Sequence, residues 1–168
     1  MSTIHFKGNP VHTEGNLPAL HHTAPAFTLT NTDLNDVTMA DFAGHRLVLN
    51  IFPSLDTAVC AMSVRRFNEL ANQMENTKVL CVSADLPFAQ KRFCGAEHLE
   101  HVVPVSQFRH ADFGKHYGVT IADGPLAGLL ARAVIIIDEK GKVTYTQLVA
   151  EITEEPNYDA VVEALQPA

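Results

Sequence analysis

The chain has 168 residues and a formal net charge of −7; 46% of the residues are hydrophobic and 18% charged, which is typical of one soluble globular domain spanning 1–168. It contains no cluster of Lys and Arg, so we expect no nucleic-acid partner. No apolar run approaches the roughly 20 residues of a membrane helix, and the first residues do not resemble a signal peptide, so we expect a cytoplasmic protein without a membrane partner.

The first third of the chain predicts strands. IHFKGNPVHTEG at 4–15 predicts a hairpin around a Gly-Asn-Pro turn, and AFTLTNTD at 26–33 alternates as a strand does. A turn and a single helical turn are expected over 34–46. LVLNIF at 47–52 is a continuous apolar run of the kind found in buried parallel strands.

The middle of the chain predicts helices alternating with strands. Apolar residues recur at helical spacing in one segment, at Val64, Phe67, Leu70, Ala71 and Met74. The elements expected after it are a second buried strand (78–85), a helix broken near Gly95 (86–99), a short strand (102–108), a short helix stopped by Gly118 (110–119) and a loop (121–131).

The end of the chain predicts a hairpin and a helix. RAVIIID at 132–138 and VTYTQLVAEI at 143–152 flank the turn sequence EKGK, and 155–166 is amphipathic. Strands that alternate with helices and end in a hairpin predict an α/β fold, with a central mixed sheet flanked by helices and an N-terminal β-hairpin.

The three cysteines, Cys60, Cys81 and Cys94, argue against a structural disulfide framework, because their number is odd. No Cys-x-x-Cys pair occurs, and a zinc site of four cysteines is impossible. Disulfides in cytosolic proteins tend to be transient and catalytic or redox-sensing. Cys81 lies within a predicted core strand, where we expect it to be buried and inert.

Cys60 lies where a strand passes into a helix. Pro53 ends the apolar run, and we expect the helix to begin within 56–58, which puts Cys60 in or next to its first turn. The free N–H groups and the positive end of the helix dipole favour the thiolate there, which is the reactive form of cysteine. Thr57 precedes Cys60 by one turn, so its hydroxyl can donate a hydrogen bond to the thiolate or accept one from a substrate.

A thiolate that acts as a nucleophile also benefits from a fixed cation, which stabilises the negative charge that develops in the reaction. Arg132 is the candidate, because it opens a core strand and its guanidinium stays charged. The sequence alone does not bring Arg132 near Cys60. Taken singly, each residue has an ordinary explanation: Cys60 as core packing, Thr57 as a helix cap and Arg132 as a surface or salt-bridge residue.

Together, these segments resemble the peroxiredoxin family, in particular its bacterial thiol peroxidases, which are atypical 2-Cys peroxiredoxins. PSLDTAVC at 53–60 matches the Pro-x-x-x-Thr-x-x-Cys motif, and APAFTL at 24–29 resembles the segment before the first core strand. SADLPFAQKRFC at 83–94 resembles the segment with the resolving cysteine, and ADGPLAGLLARAVIIID at 122–138 resembles the one that leads to the active-site arginine. The N-terminal hairpin fits as well, so the resemblance covers essentially the whole chain.

This resemblance implies a thioredoxin-like fold, a homodimer, and reduction of hydroperoxides with electrons from thioredoxin, without metal or organic cofactor. By position, it implies that Cys60 is the peroxidatic cysteine and that Thr57 and Arg132 activate it and bind peroxide. Pro53 would shield the site. Cys94 would resolve the Cys60 sulfenic acid as an intrachain disulfide, and we expect both helices to unwind locally for this. The segment GPLAGLL favours organic hydroperoxides over hydrogen peroxide.

Three alternatives remain open at this point. Cys94, His98 and His101 would share one face of a continuous helix and could bind zinc. The same Cys60 chemistry could serve a peroxide sensor that passes its oxidation to a partner protein. An inactive binding module is disfavoured by the presence of Thr57 and Cys60 together with Cys94.

Overall fold

A computed structural model of the chain describes residues 1–166. Its elements, in chain order, are β1 (Thr3–Phe6), β2 (Asn9–Glu14), β3 (Thr28–Asn31), β4 (Asp36–Thr38), a 3-10 helix (Met39–Phe42), β5 (Arg46–Ile51), α1 (Ala58–Ala71), β6 (Thr77–Ser83), α2 (Pro87–Ala96), β7 (Val102–Ser106), α3 (Asp112–His116), β8 (Thr120–Ile121), β9 (Ala133–Ile137), β10 (Val143–Leu148) and α4 (Tyr158–Ala164).

Seven strands form a central mixed sheet in the order β10-β9-β5-β6-β7-β3-β4. The strands β5, β6 and β7 run parallel, whereas β9 pairs with β5 in the antiparallel direction. The parallel connections pass through α1 and α2, as crossovers between parallel strands require. The predicted α/β fold with a mixed sheet is therefore confirmed.

Helices cover both faces of this sheet, and the side chains of each strand alternate between two cores. On β9, Val134 and Ile136 pack in the core formed with α1 and α4. Ile135 and Ile137 pack in the opposite core, which contains Phe113 from α3 and side chains of the N-terminal hairpin. Because both faces are covered, the strands read in the sequence as continuous apolar runs.

The N-terminal hairpin is confirmed, but its turn starts one residue earlier than predicted and does not include Asn9 and Pro10. Lys7 and Gly8 make the turn with φ of +51° and +82°, whereas Asn9 and Pro10 belong to β2. Two consecutive positive φ values suit the tight turn of a two-residue hairpin, and Gly8 adopts this conformation without strain. The hairpin joins β8 in a separate three-stranded sheet that contributes to the functional cavity described below.

Three smaller features differ from the prediction. The segment over 34–46 contains a short strand, β4, as well as its helical turn, and β8 occupies the start of the predicted loop. The helix α2 continues through Gly95 and ends at Ala96, one residue beyond the expected break. The stop at Gly118 is confirmed: its φ is +68°, and a Cβ there would lie 2.2 Å from the backbone of Asn16.

The sheet register positions the functional residues. The loops after the parallel strands β5 and β6 leave from the same edge of the sheet, and β9 starts at that edge because it runs in the opposite direction. Ile51 at the end of β5 pairs with Ala133 at the start of β9. Arg132 therefore lies beside the loop that follows β5. No helix within residues 1–166 is long and apolar enough to cross a membrane.

Candidate active site

Cys60 occupies the first turn of α1, as predicted. The helix begins at Ala58 with Thr57 as the preceding cap residue, and the first helical hydrogen bond runs from the Ala61 N–H to the Thr57 carbonyl at 3.0 Å. The N–H groups of Ala58, Val59 and Cys60 precede that bond and have no acceptor within the helix. Their partial positive charge favours a negative sulfur at Cys60, whose side chain is fully buried.

Arg132 contacts the Cys60 sulfur. Its Nη2 donates a hydrogen bond to Cys60 Sγ at 3.2 Å, and its Nε donates one to the Ile152 carbonyl at 2.9 Å. The backbone is held as well, because the Val149 N–H donates to the Arg132 carbonyl at 2.9 Å. Arg132 is only 1% exposed, and its Nη1 has no hydrogen-bond partner within residues 1–166.

The charge of Arg132 has a direct consequence for Cys60. No carboxylate of the described residues lies within 4.0 Å of this buried guanidinium. A buried cation without a counter-ion is strongly unfavourable. The group that lies nearest to this charge is the Cys60 sulfur, at 3.2 Å from Nη2.

The Thr57 hydroxyl differs from the expectation in its hydrogen bond. It donates to the Ser54 carbonyl at 3.0 Å rather than to the Cys60 sulfur, and it does not cap the helix. The Ser54 carbonyl also accepts the Thr57 N–H at 3.2 Å, which fixes the residue through both its backbone and its side chain. With its proton committed to Ser54, the hydroxyl oxygen remains an acceptor for a substrate O–H.

A cavity of about 430 Å³ brings three of the predicted residues together. Thr57, Arg132 and Pro53 all line it, and Pro53 is itself buried. The remaining lining residues are mostly apolar and come from distant parts of the chain: Phe6, Lys7, Ser54, Ala58, Val59, Leu126, Leu129, Ile152 and Thr153. Leu126 and Leu129 belong to the segment GPLAGLL, whose apolar character suggested an organic substrate.

Cys94 is not brought to this cavity. It lies near the end of α2 and lines a different cavity of about 290 Å³, together with Lys91, Gly95 and His98 among others. Cys60, Cys81 and Cys94 are all free thiols in this structure. Burial raises the pKa of Cys94 to about 11, so the folded protein holds it as the neutral thiol at neutral pH.

Cys81 is buried in β6, as predicted, and is 1% exposed. Burial raises its pKa to about 12, although a long contact of 3.7 Å from the Asn50 amide acts in the opposite direction. A thiol of this kind is a poor nucleophile.

The alternative zinc site fails on geometry. Helix α2 ends before His98, which has φ of +55°, so Cys94, His98 and His101 do not share one helix face. Within residues 1–166, no group of three or more His, Cys, Asp and Glu side chains could hold a metal ion.

Sequence reasoning missed the residues that hold the loop between β5 and α1. The Asp85 carboxylate accepts hydrogen bonds from Ser54 Oγ at 2.7 Å and from the Leu55 N–H at 2.8 Å. Glu151 has a similar function for the cavity wall, because its carboxylate accepts the N–H groups of Lys7 and Gly8 at 3.2 and 2.8 Å. The segment SADLPFAQKRFC contained Asp85, but nothing in its spacing pointed to a contact with residues 30 positions earlier.

Comparisons with known proteins identify the class to which this fold belongs. The Redoxin family model matches residues 20–162. A thiol peroxidase of Corynebacterium glutamicum is 56% identical over 98% of this chain and 99% of its own length. A thiol peroxidase of Mycobacterium tuberculosis is 58% identical over the same shares. A peroxiredoxin-like protein from Aquifex aeolicus superimposes with a TM-score of 0.93 at 45% identity, over 98% of this chain and 96% of that one.

The chain therefore belongs to the Redoxin family and, within it, to the thiol peroxidases. It is a peroxiredoxin-type enzyme with a thioredoxin-like fold.

Proposed function

We propose that this chain reduces hydroperoxides with Cys60 as the peroxidatic cysteine, Thr57 and Arg132 as the residues that activate it and bind peroxide, and Pro53 as its shield from solvent. The observation that carries this proposal is the 3.2 Å contact between Cys60 Sγ and a buried guanidinium without a carboxylate partner among the described residues. The thiolate is the form of cysteine that attacks peroxides, and this guanidinium is placed to pair with its charge.

In the first step, the Cys60 thiolate attacks one oxygen of the hydroperoxide and the O–O bond breaks. Cys60 becomes a sulfenic acid, and the other oxygen leaves as an alkoxide, or as hydroxide when the substrate is hydrogen peroxide. This leaving group takes a proton from solvent and becomes an alcohol or water. The Thr57 oxygen accepts a hydrogen bond from the peroxide O–H, which orients it. Arg132 stabilises the negative charge that develops on the leaving oxygen, and its unpartnered Nη1 is available as a donor.

In the second step, the Cys94 sulfur attacks the sulfenic sulfur of Cys60, the S–S bond forms and water leaves. A disulfide requires Cα atoms within about 7 Å. Cys60 lies at the start of α1 and Cys94 lies near the end of α2. Because the two cysteines lie on different helices, the start of α1 and the end of α2 unwind to bring them together. Gly95 eases this change of the backbone next to Cys94.

In the third step, a dithiol reduces the Cys60–Cys94 disulfide by thiol exchange and supplies the two electrons of the cycle. We assign this role to thioredoxin. The enzyme needs no metal or organic cofactor in this scheme and acts as one domain within a cytoplasmic homodimer.

The preferred substrates are organic hydroperoxides, with hydrogen peroxide also reduced. The support is the cavity wall, in which Phe6, Leu126, Leu129 and Ile152 surround the polar Thr57 and Arg132. The transfer of an alkyl or aryl group from water to such an apolar wall is favourable, whereas hydrogen peroxide has no apolar group to transfer.

The test is the consumption of NADPH in the presence of thioredoxin, thioredoxin reductase and cumene hydroperoxide. Cys60→Ser should abolish turnover, Cys94→Ser should stop recycling by thioredoxin, and Cys81→Ser should be nearly silent and thus serve as the matched control. Substrate preference is measured as kcat/KM. A kcat/KM for hydrogen peroxide equal to or above that for cumene hydroperoxide would contradict the proposed preference for organic hydroperoxides. No turnover by the wild type, with Cys60 still oxidised by peroxide, would instead favour a peroxide sensor.

A further inference from the structure

The carboxylate of Asp85 connects the two segments that carry Cys60 and Cys94. Its Oδ1 accepts a hydrogen bond from Ser54 Oγ at 2.7 Å, and its Oδ2 accepts one from the Leu55 N–H at 2.8 Å. Ser54 and Leu55 belong to the loop that leads into α1 and Cys60. Asp85 itself stands just before α2, the helix that carries Cys94.

Asp85 is firmly anchored at the edge of the sheet. Ser83 Oγ donates to its Oδ2 at 2.7 Å and accepts its N–H at 3.3 Å. Ser106 Oγ, at the end of β7, donates to the Asp85 carbonyl at 2.5 Å, and the buried Gln90 amide donates to Ser83 Oγ at 3.2 Å. The Asp85 carboxylate is therefore held in place by the sheet. Its two hydrogen bonds to Ser54 and Leu55 then fix the position of the loop before α1.

The hydrogen bonds continue from the loop to Thr57. Ser54 Oγ, which donates to Asp85, accepts the Asp56 N–H at 3.1 Å. The Ser54 carbonyl accepts the Thr57 hydroxyl at 3.0 Å. Releasing Ser54 from Asp85 would thus free the residue that orients Thr57 in the cavity.

We propose that Asp85 is a positioning residue that keeps the loop and the start of α1 arranged for peroxide attack, and that it opposes the movement of Cys60 toward Cys94. The inference rests on the proposed function, because it requires the Cys60–Cys94 disulfide. The Ser54 and Leu55 contacts of Asp85 break when the loop follows Cys60 out of the helix, so they set how long the folded site persists after Cys60 is oxidised.

Two reactions compete for the Cys60 sulfenic acid, and Asp85 sets their balance. A second hydroperoxide can transfer an oxygen to it, which gives Cys60 sulfinic acid and one alcohol. Alternatively, Cys94 condenses with it, which gives the disulfide and one water. The first reaction takes place in the folded site, whereas the second requires unwinding. By holding the loop, Asp85 speeds the initial attack on peroxide and also increases the fraction of enzyme lost as sulfinic acid.

The test compares Asp85→Asn with wild type and with Asp138→Asn. Asparagine keeps the size of the side chain but removes the charge and one acceptor oxygen. Asp138 is a matched control, because its carboxylate also accepts two hydrogen bonds, from the N–H groups of Lys140 and Lys142 at 2.9 Å, in the turn between β9 and β10. Reduced proteins are mixed with cumene hydroperoxide, quenched with acid, alkylated and analysed by mass spectrometry.

For Asp85→Asn we expect peroxide to oxidise the Cys60 thiol about tenfold more slowly when peroxide is limiting. The reason is that a small displacement of reacting groups lowers the rate of a reaction strongly. With excess peroxide, the ratio of sulfinic acid to disulfide should also fall about tenfold, which corresponds to the loss of one hydrogen bond to a charged group. Asp138→Asn should match the wild type in both measurements.

An unchanged ratio of sulfinic acid to disulfide in Asp85→Asn would overturn the proposal, even if the melting temperature falls, because that result means a purely structural role. If Asp85→Asn does not fold, Ser54→Ala removes a single hydrogen bond to Asp85 and should shift the ratio in the same direction; no shift there overturns the proposal as well. Failure of the proposed function is recognised separately, since the wild type would then form no Cys60–Cys94 disulfide.

Discussion

The Nη2 atom of Arg132 lies 3.2 Å from Sγ of Cys60, although 72 positions separate the two residues along the chain. The pairing of Ile51 with Ala133 produces this contact, because it aligns the end of β5 with the start of β9. A slip of β9 by one residue would turn Arg132 to the other face of the sheet. The register of the core therefore determines the electrostatics of the thiol.

Arg132→Lys is expected to slow the oxidation of Cys60 by about 10²- to 10³-fold, the usual effect of losing a donor to developing charge. Lysine keeps the positive charge, but its single ammonium cannot reproduce the planar fork that contacts both Ile152 and Cys60. The measurement is the second-order rate constant for loss of the Cys60 thiol with cumene hydroperoxide. Arg66→Lys is the control, since Arg66 lies on the exposed surface of α1 and pairs with Glu69 at 3.2 Å. A wild-type rate in Arg132→Lys would contradict the assigned role.

Thr57→Val is expected to lower kcat/KM by about 10²-fold, because the isosteric side chain neither bonds to the Ser54 carbonyl nor accepts a hydrogen bond from peroxide. Thr57→Ser retains the hydroxyl and should retain most of the activity. The NADPH-coupled assay measures both. Thr144→Val serves as control, because the Thr144 hydroxyl also donates to a backbone carbonyl, that of Ile136, but on β10. Equal activity of Thr57→Val and Thr57→Ser would show that the hydroxyl has no function in the reaction.

Glu151→Gln is expected to reduce the acid sensitivity of folding. Hydrogen bonds from the N–H groups of Thr153, Gly8 and Lys7 and from the Thr153 hydroxyl lower the pKa of Glu151 from 4.5 to about 2. A lowered folded-state pKa contributes stability that is present above the unfolded value and is lost as the pH falls toward 2. Urea unfolding between pH 7 and pH 3 should therefore show a smaller decrease for Glu151→Gln than for the wild type.

Glu154→Gln provides the comparison for this experiment, because Glu154 is exposed and its carboxylate makes no hydrogen bond within the described part of the chain. It should follow the wild-type pH dependence. If Glu151→Gln and Glu154→Gln lose stability equally on acidification, the hydrogen bonds to Glu151 do not contribute to stability in solution.

Alkylation of Cys94 and Cys81 in the reduced protein should depend on pH and on whether the protein is folded. Burial raises the pKa of Cys94 to about 11, so its labelling by iodoacetamide in the folded state should remain slow at pH 8 and increase toward pH 11. In about 8 M urea, which unfolds most small domains, labelling of Cys94 should follow an ordinary thiol pKa of about 8.5. Cys81 should resist labelling until the protein unfolds, because it is 1% exposed.

The raised pKa of Cys94 also affects stability at alkaline pH. A raised folded-state pKa of Cys94 contributes stability that is complete below the unfolded value and is lost as the pH rises toward 11. Fast labelling of Cys94 at pH 8 in the folded protein would contradict this raised pKa.

The sequence predicted the features that depend on local pattern. The continuous apolar run at 47–52 identified a buried strand, and Pro53 together with the helical spacing after Cys60 located the start of α1. The hairpin turn was misplaced because Gly-Asn-Pro and Lys-Gly are both reasonable turn sequences. Tertiary pairing of β1 with β2 selected the second.

The contacts that depend on pairing between distant strands could not be predicted from pattern. Arg132 was a candidate by residue type and by resemblance, but its contact with Cys60 follows from the register of β9 against β5. Asp85 and Glu151 were missed for the same reason, since each accepts backbone N–H groups from a segment remote in the chain. The hydroxyl of Thr57 was expected at the sulfur, but the Ser54 carbonyl lies within its reach and accepts its proton.

The cavity wall combines residues from both ends of the chain, with Phe6 and Lys7 near the start and Ile152 and Thr153 near the end. During synthesis on the ribosome, Cys60 is made long before Arg132 and the segment that anchors it. A nascent chain therefore presents Cys60 without Arg132 beside it. The site is complete only when Ile152, whose carbonyl accepts the hydrogen bond from Arg132 Nε, has folded against the sheet.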